Sequence, residues 1–182
     1  IIIRADASYS MGTDNYLGNG DSYDMLMKVV YGFTGSVANA AKTAGKDIQV
    51  VVVSYSNRGD TVVSKPVELQ EFYRTPHNSA KKVLFNPQGG STYHDLAAYQ
   101  LAHRRCQTGQ TLDIMITDGG FESDPNTNQG WSYHDETIAE FDRILADPTN
   151  TMLYFPLFQA CGFSVSVAEP VLDQRPNFHY FN

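Results

Sequence analysis

The chain is 182 residues long, enough for one domain with a full core, and its 42% apolar content is ordinary for a globular protein. A net charge of −7 argues against a general nucleic-acid binder, which shows a basic stripe. No apolar run reaches the length of a membrane span, and two cysteines, Cys106 and Cys161, do not make a disulfide framework; both are expected to be free thiols, not bonded to each other.

Ile1 to Ala7 reads as a first strand, and its continuous apolar start suits a central parallel strand covered on both faces. Gly12 to Gly20 is rich in turn formers. A helix is expected from near Asp21 or Ser22, either of which can cap it. Leu26, Val29, Val30, Phe33, Val37 and Ala41 recur on one stripe, and Gly45 is placed to end the helix. Ile48 to Tyr55, mostly valine, is a second strand. Asn57-Arg58-Gly59-Asp60 is a turn; its Arg-Gly-Asp looks like the tripeptide integrins recognise, but Gly-Asp is ordinary turn chemistry and no role is assigned to it. Thr61 to Leu69 is a third strand. The tight link sets it antiparallel to the second, and Pro66, which lacks an amide donor, puts it at the sheet edge.

Ser79 to Leu84 fits a short helix in an otherwise ambiguous stretch. Tyr93 to Cys106 reads as a helix with Leu96, Tyr99, Leu101 and Ala102 for the core, and Leu112 to Thr117 as another buried strand. Gly119 to Tyr133 is a long polar loop. Ser132 is placed to cap a helix whose stripe is Ile138, Phe141, Ile144 and Leu145. Met152 to Phe158 is a strand, Val165 to Asp173 fits a short helix, and Phe178 to Phe181 a last short strand. This alternation means an α/β domain: a doubly wound, mainly parallel sheet with one antiparallel edge strand and helices on both faces. In such folds ligands bind beyond the carboxyl ends of the strands, where the chain reverses its winding.

Three stretches carry the chemistry. Asp6-Ala7-Ser8-Tyr9-Ser10-Met11 ends the first strand. Gly89-Gly90-Ser91-Thr92 precedes a helix. Ile116-Thr117-Asp118-Gly119-Gly120 ends a second apolar strand. Together they offer two carboxylates and several hydroxyls. A hard divalent cation such as Mg²⁺ takes that oxygen set, with waters filling the rest of an octahedron. Each Asp taken alone is also a common pin for a turn at a strand end, and each Ser a common loop hydrogen-bonder.

At these residues the chain resembles the von Willebrand factor type A domain, whose metal-ion-dependent adhesion site is written D-x-S-x-S, then a distant Thr, then a distant Asp. Asp6, Ser8 and Ser10 match the first element, Thr92 the second and Asp118 the third. Ser91 is the alternative to Thr92, since the two are adjacent. The family places Gly where this chain has Tyr9, which bears on the loop conformation and not on the ligand set. The resemblance implies that Asp6, Ser8, Ser10, Thr92 and Asp118 hold a divalent cation, Mg²⁺ first, Mn²⁺ or Ca²⁺ as alternatives. It also implies a partner protein whose Asp or Glu completes the coordination. The family closes with a further helix where this chain stops, so residues 1–182 are expected to be one domain of a larger protein or assembly.

The expectation is therefore a metal-dependent protein-binding module and not an enzyme. The alternative is a Mg²⁺-dependent hydrolase or phosphoryl-transfer domain. That reading shares the scaffold, but Gly89-Gly90-Ser91-Thr92 has neither the spacing nor the Lys of a phosphate-binding loop. The five histidines are dispersed and form no zinc spacing. Composition does not decide the compartment.

Overall fold

The structure is a computed structural model of the chain. The residues it describes are 1–8, 11, 21–56, 60–84, 96–106, 110–117, 134–156 and 170–181, and the side chains of 21–23, 134–137, 156, 170 and 171 are outside the description.

Strand β1 (Ile2–Asp6) is buried along its whole length. It lies between β2 (Gln49–Tyr55) and β5 (Leu112–Thr117), parallel to both. Next to β5 come β6 (Thr151–Pro156) and β7 (Phe178–Tyr180), also parallel. On the other side β3 (Val62–Val63) and β4 (Val67–Glu68) both pair antiparallel with β2. The order among the described residues is β3-β2-β1-β5-β6-β7, with β4 beside β2. The fold is Rossmann-like α/β.

Alternation along β1 divides the core in two, because successive side chains of a strand point to opposite faces. Ile3 and Ala5 face a cluster that takes in Leu26, Val30 and Ala38 of helix α1 (Asp21–Ala44), Phe72 of α2 (Leu69–Arg74), and Ala80 and Leu84 of α3 (Ser79–Leu84). Ile2 faces the other cluster. That one holds Tyr99 and Ala102 of α4 (Leu96–Arg105), Ile138, Phe141, Ile144 and Leu145 of α5 (His134–Leu145), and Leu172 of α6 (Pro170–Asp173). The sheet is thus covered on both faces, as the apolar runs predict.

The predicted third strand divides in two, and its last residue, Leu69, opens α2 instead. Between β3 and β4 the Ser64 hydroxyl accepts the Val52 amide at 2.9 Å, and the Ser64 amide returns to the Val52 carbonyl at 2.8 Å. A side-chain oxygen therefore takes a ladder position just before Pro66, where a proline cannot donate. Helix α4 begins at Leu96, and residues 91–95, which the sequence includes from Tyr93, lie outside the description. The Ser132 cap likewise lies outside it.

Gly45 ends α1 as its position predicts. It is the described residue with positive φ, at 60°. Its amide bonds the Lys42 carbonyl and the Lys46 amide bonds the Ala41 carbonyl at 2.9 Å, the paired pattern of a Schellman cap. A Cβ at Gly45 would meet nothing within 4 Å, so any cost of adding one is backbone strain. Gly45→Ala is expected to lower stability by about 1–2 kcal/mol. Gly32, inside α1 and equally open, gives the opposite sign: Gly32→Ala is expected to stabilise by about 0.5–1 kcal/mol. Urea unfolding of the two variants measures both.

The same strand that carries the apolar core also carries Arg4, fully buried. Its Nε donates to Asp113 Oδ1 at 2.8 Å, and its Nη2 lies 2.7 Å from the same oxygen. His103 Nε2 of α4 lies 3.0 Å from Asp113 Oδ2. The guanidinium sits 4.3 Å above the Tyr99 ring and 5.3 Å from that of Phe141. Cys106, at the end of α4, is a half-buried free thiol whose pKa is pushed up by burial. Cys161 lies outside the described residues.

Candidate functional site at the carboxyl ends of β1 and β5

The chain starts at β1, builds β2 on one side of it, and later places β5 on the other side. The winding reverses between β1 and β5. A crevice at the carboxyl ends of two such strands is where open α/β sheets bind ligands.

Asp6 is the last residue of β1 and only 1% exposed. Its Oδ1 accepts the Ser8 amide at 2.8 Å, two residues on, which folds the chain back as soon as the strand ends. The Met11 amide bonds the Ser8 carbonyl at 3.1 Å, and Met11 is buried in the cluster that Ile3 and Ala5 face. The other carboxylate oxygen, Oδ2, accepts the Thr117 hydroxyl at 2.5 Å from the last residue of β5. That length belongs to charge-assisted O–H···O⁻ bonds, which are the strong ones. The parallel register makes the contact possible: Ala5 stands opposite Ile116, so the next residues on each strand, Asp6 and Thr117, leave the sheet together.

Tyr55 approaches from the other side, since β2 sets it opposite Asp6. It is fully buried. Burial first, and then the charge of Asp6, hold the phenol pKa well above its ordinary value, so it keeps its proton. The Tyr99 ring of α4 meets the Tyr55 ring edge-on, with centroids 6.2 Å apart, and itself stacks on Phe141 of α5 at 5.4 Å.

Of the five residues the sequence selects, Asp6 and Ser8 are brought together here. Ser10, Thr92, Ser91 and Asp118 lie outside the described residues, as does Tyr9. Asp118 is nevertheless the residue next to Thr117 in the chain, and Thr117 is bonded to Asp6. Thr117 and Tyr55 are the site residues that sequence reasoning does not select. Their signal is a polar residue closing each of two apolar strands.

Comparison with family models and with curated proteins gives no match. Among solved structures the fold is similar to that of the pilus adhesin SpaC from Lactobacillus rhamnosus GG, with a TM-score of 0.53 and 18% sequence identity. The similarity covers 85% of this chain but 24% of the adhesin, so this chain matches about a quarter of that protein. At this identity the likeness speaks for the fold alone.

The donor set fits a hard cation. Asp6 and Ser8 contribute oxygens from one short turn, and neither nitrogen nor sulfur ligands adjoin them in the sequence. An ionised carboxylate has about four lone-pair positions. Among the described residues, the Ser8 amide takes a position on one Asp6 oxygen and the Thr117 hydroxyl a position on the other. No cluster of three His, Cys, Asp or Glu is present among the described residues, and the set chosen from the sequence has only two such acids. Among the described residues no helix is long and apolar enough to cross a membrane.

Proposed function

We propose that this chain is a metal-dependent protein-binding module of the von Willebrand factor A kind. A divalent cation, Mg²⁺ first, is held by Asp6, Ser8, Ser10, Thr92 and Asp118, and a partner's Asp or Glu completes its coordination. One observation carries the reading: a buried, doubly hydrogen-bonded Asp6 stands at the switch point of the sheet, with Ser8 beside it and Thr117 joining it to the strand that leads into Asp118. Neutral hydroxyl ligands add oxygens without adding charge, so the cation stays electrophilic toward an outside carboxylate. The net charge of −7 otherwise disfavours an acidic partner, and the cation reverses the field locally. The adhesin to about a quarter of which this chain is similar in fold is named for attachment, a role of the same class.

Calorimetry with MgCl₂, followed by capture of partners with and without chelator, tests this. Binding of cation and partner is expected to disappear with chelator and to return with added Mg²⁺. Asp118→Ala is expected to weaken partner binding at least about tenfold, the scale of losses when a metal-site group is removed. Partner binding indifferent to both treatments would defeat the reading. Mg²⁺-dependent phosphoester turnover by the purified chain would replace it with the enzyme alternative.

A further inference from the structure

We propose that Thr117 is the positioning residue that sets the cation preference of this site: held from the neighbouring strand by its hydroxyl, the Asp6 carboxylate stays rigid and so favours Mg²⁺ over Ca²⁺. This role rests on the reading of Asp6 as a cation ligand given above.

The carboxylate is held from two directions. The Ser8 amide reaches Oδ1 at 2.8 Å from the turn that follows β1, two residues along the chain. The Thr117 hydroxyl donates to Oδ2 at 2.5 Å from β5, across 111 residues of sequence. The first bond travels with Asp6, because it belongs to the same turn. The second does not. Strand β5 is fixed beside β1 by a parallel register that runs from Ile2 opposite Asp113 to Ala5 opposite Ile116. Thr117 therefore ties the carboxylate to the frame of the sheet. A carboxylate tied at both oxygens turns about its Cβ–Cγ bond only by giving up one of the two bonds.

The hydroxyl is itself aimed. A β-branched side chain has few rotamers open to it, and Thr117 closes a strand that is buried from Asp113 onward. Thr117 and Asp6 are each 1% exposed, so water is kept from the bond between them. A hydrogen bond to an ionised oxygen is at its strongest in such surroundings.

Rigidity is what separates the two cations. Mg²⁺ demands near-ideal octahedral geometry with oxygens about 2.0–2.1 Å away, whereas Ca²⁺ accepts a looser shell at about 2.3–2.6 Å and takes carboxylates through one oxygen or both. A ligand fixed in place suits the first demand. A ligand free to turn and to offer both oxygens suits the second. Loss of the Thr117 bond thus moves the preference of the site toward Ca²⁺, whereas a merely structural role for Thr117 would weaken both cations alike.

Thr117→Val removes the donor and keeps the shape of the side chain; Thr117→Ser keeps the donor. Thr117→Ala, also without the hydroxyl, gives the same comparison should the valine variant not fold. The first readout needs no cation: hydrogen exchange of the Ser8 amide, which is bonded to Asp6. The Lys81 amide, bonded to the Asn78 side chain on the opposite face of the sheet, is the internal control. Thr117→Val is expected to speed Ser8 exchange about threefold to tenfold relative to Lys81, the scale of one net hydrogen bond. The second readout is calorimetric titration with MgCl₂ and with CaCl₂. In Thr117→Val, Mg²⁺ affinity is expected to fall about tenfold, the scale for losing an outer partner of a metal ligand, and Ca²⁺ affinity by no more than about threefold. Thr117→Ser is expected to keep the native ratio of the two affinities. Unchanged Ser8 exchange would overturn the proposal, since Thr117 would then not hold the carboxylate. A native chain that binds Mg²⁺ and a valine variant with the same Mg²⁺ to Ca²⁺ ratio would overturn it too, and would leave the metal reading standing. A native chain that binds neither cation would defeat the metal reading, and this role with it.

Discussion

Asp113→Ala is expected to destabilise the protein by about 3–5 kcal/mol, the cost of leaving a buried charge without its partner. Arg4 is fully buried on the central strand, and the polar contacts its guanidinium makes go to Asp113 Oδ1. The rings of Tyr99 and Phe141 stack near it but cannot replace an anion. His103 loses its Asp113 contact in the same substitution. The pair is not in itself evidence of high stability, because desolvating two ions costs nearly what their attraction returns. Replacing both at once, Arg4→Met with Asp113→Leu, is therefore expected to recover most of the loss. Urea unfolding of the single and double variants measures the difference; a double variant as unstable as Asp113→Ala would mean that packing, not the orphaned charge, sets the cost.

The same pair predicts an acid limb. Burial alone would push the Asp113 carboxyl up, but the charge of Arg4 and the His103 contact outweigh it and hold the carboxyl below its ordinary value. A carboxylate whose pKa is lowered on folding stabilises the folded state fully above its unfolded pKa, about 3.9. That contribution disappears as the pH falls through the lower folded value. The native chain is thus expected to lose stability below about pH 4 more steeply than the Arg4→Met, Asp113→Leu double variant.

Those two residues also show where sequence reading stops. Leu112 to Thr117 is legible as a strand because apolar residues dominate it, and the first strand is legible from Ile1, Ile2 and Ile3. Inside both runs a charge is hidden, and its partner is 109 residues away. No local pattern announces such a pair; only the parallel register of β1 and β5 creates it. Helix α2 escapes for a different reason: six residues make fewer than two turns, too few for a period to show. The split of the edge strand depends on the Ser64 hydroxyl standing in for a backbone acceptor, which composition cannot reveal. At the site, Asp6 and Ser8 are legible because one short motif contains them. Thr117 is not, because its bond to Asp6 exists only once β1 and β5 lie side by side.

Asp6→Asn is the substitution that separates a cation site from a pinned turn. As a pin, Asp6 needs only to accept the Ser8 amide and to meet Thr117. Asparagine keeps the acceptor for Ser8 through its carbonyl oxygen and offers its amide group to the Thr117 oxygen, whose proton must then turn away. That rearrangement is expected to cost about 1 kcal/mol, whereas Asp6→Ala removes the acceptor of both the Ser8 amide and the Thr117 hydroxyl and is expected to cost more, about 1–3 kcal/mol. For a cation the order changes. Both variants remove one of the two negative charges in the set, and a neutral amide is a far weaker ligand for a hard ion. Asp6→Asn is therefore expected to lose Mg²⁺ affinity at least about tenfold to hundredfold while unfolding close to the native chain. Calorimetric titration beside thermal unfolding gives both quantities on one sample. If the asparagine variant binds Mg²⁺ as the native chain does, Asp6 is a structural pin at the end of β1 and the carboxylate makes no contribution to holding a cation. If affinity falls and stability does not, the charge at the switch point is there for the ion.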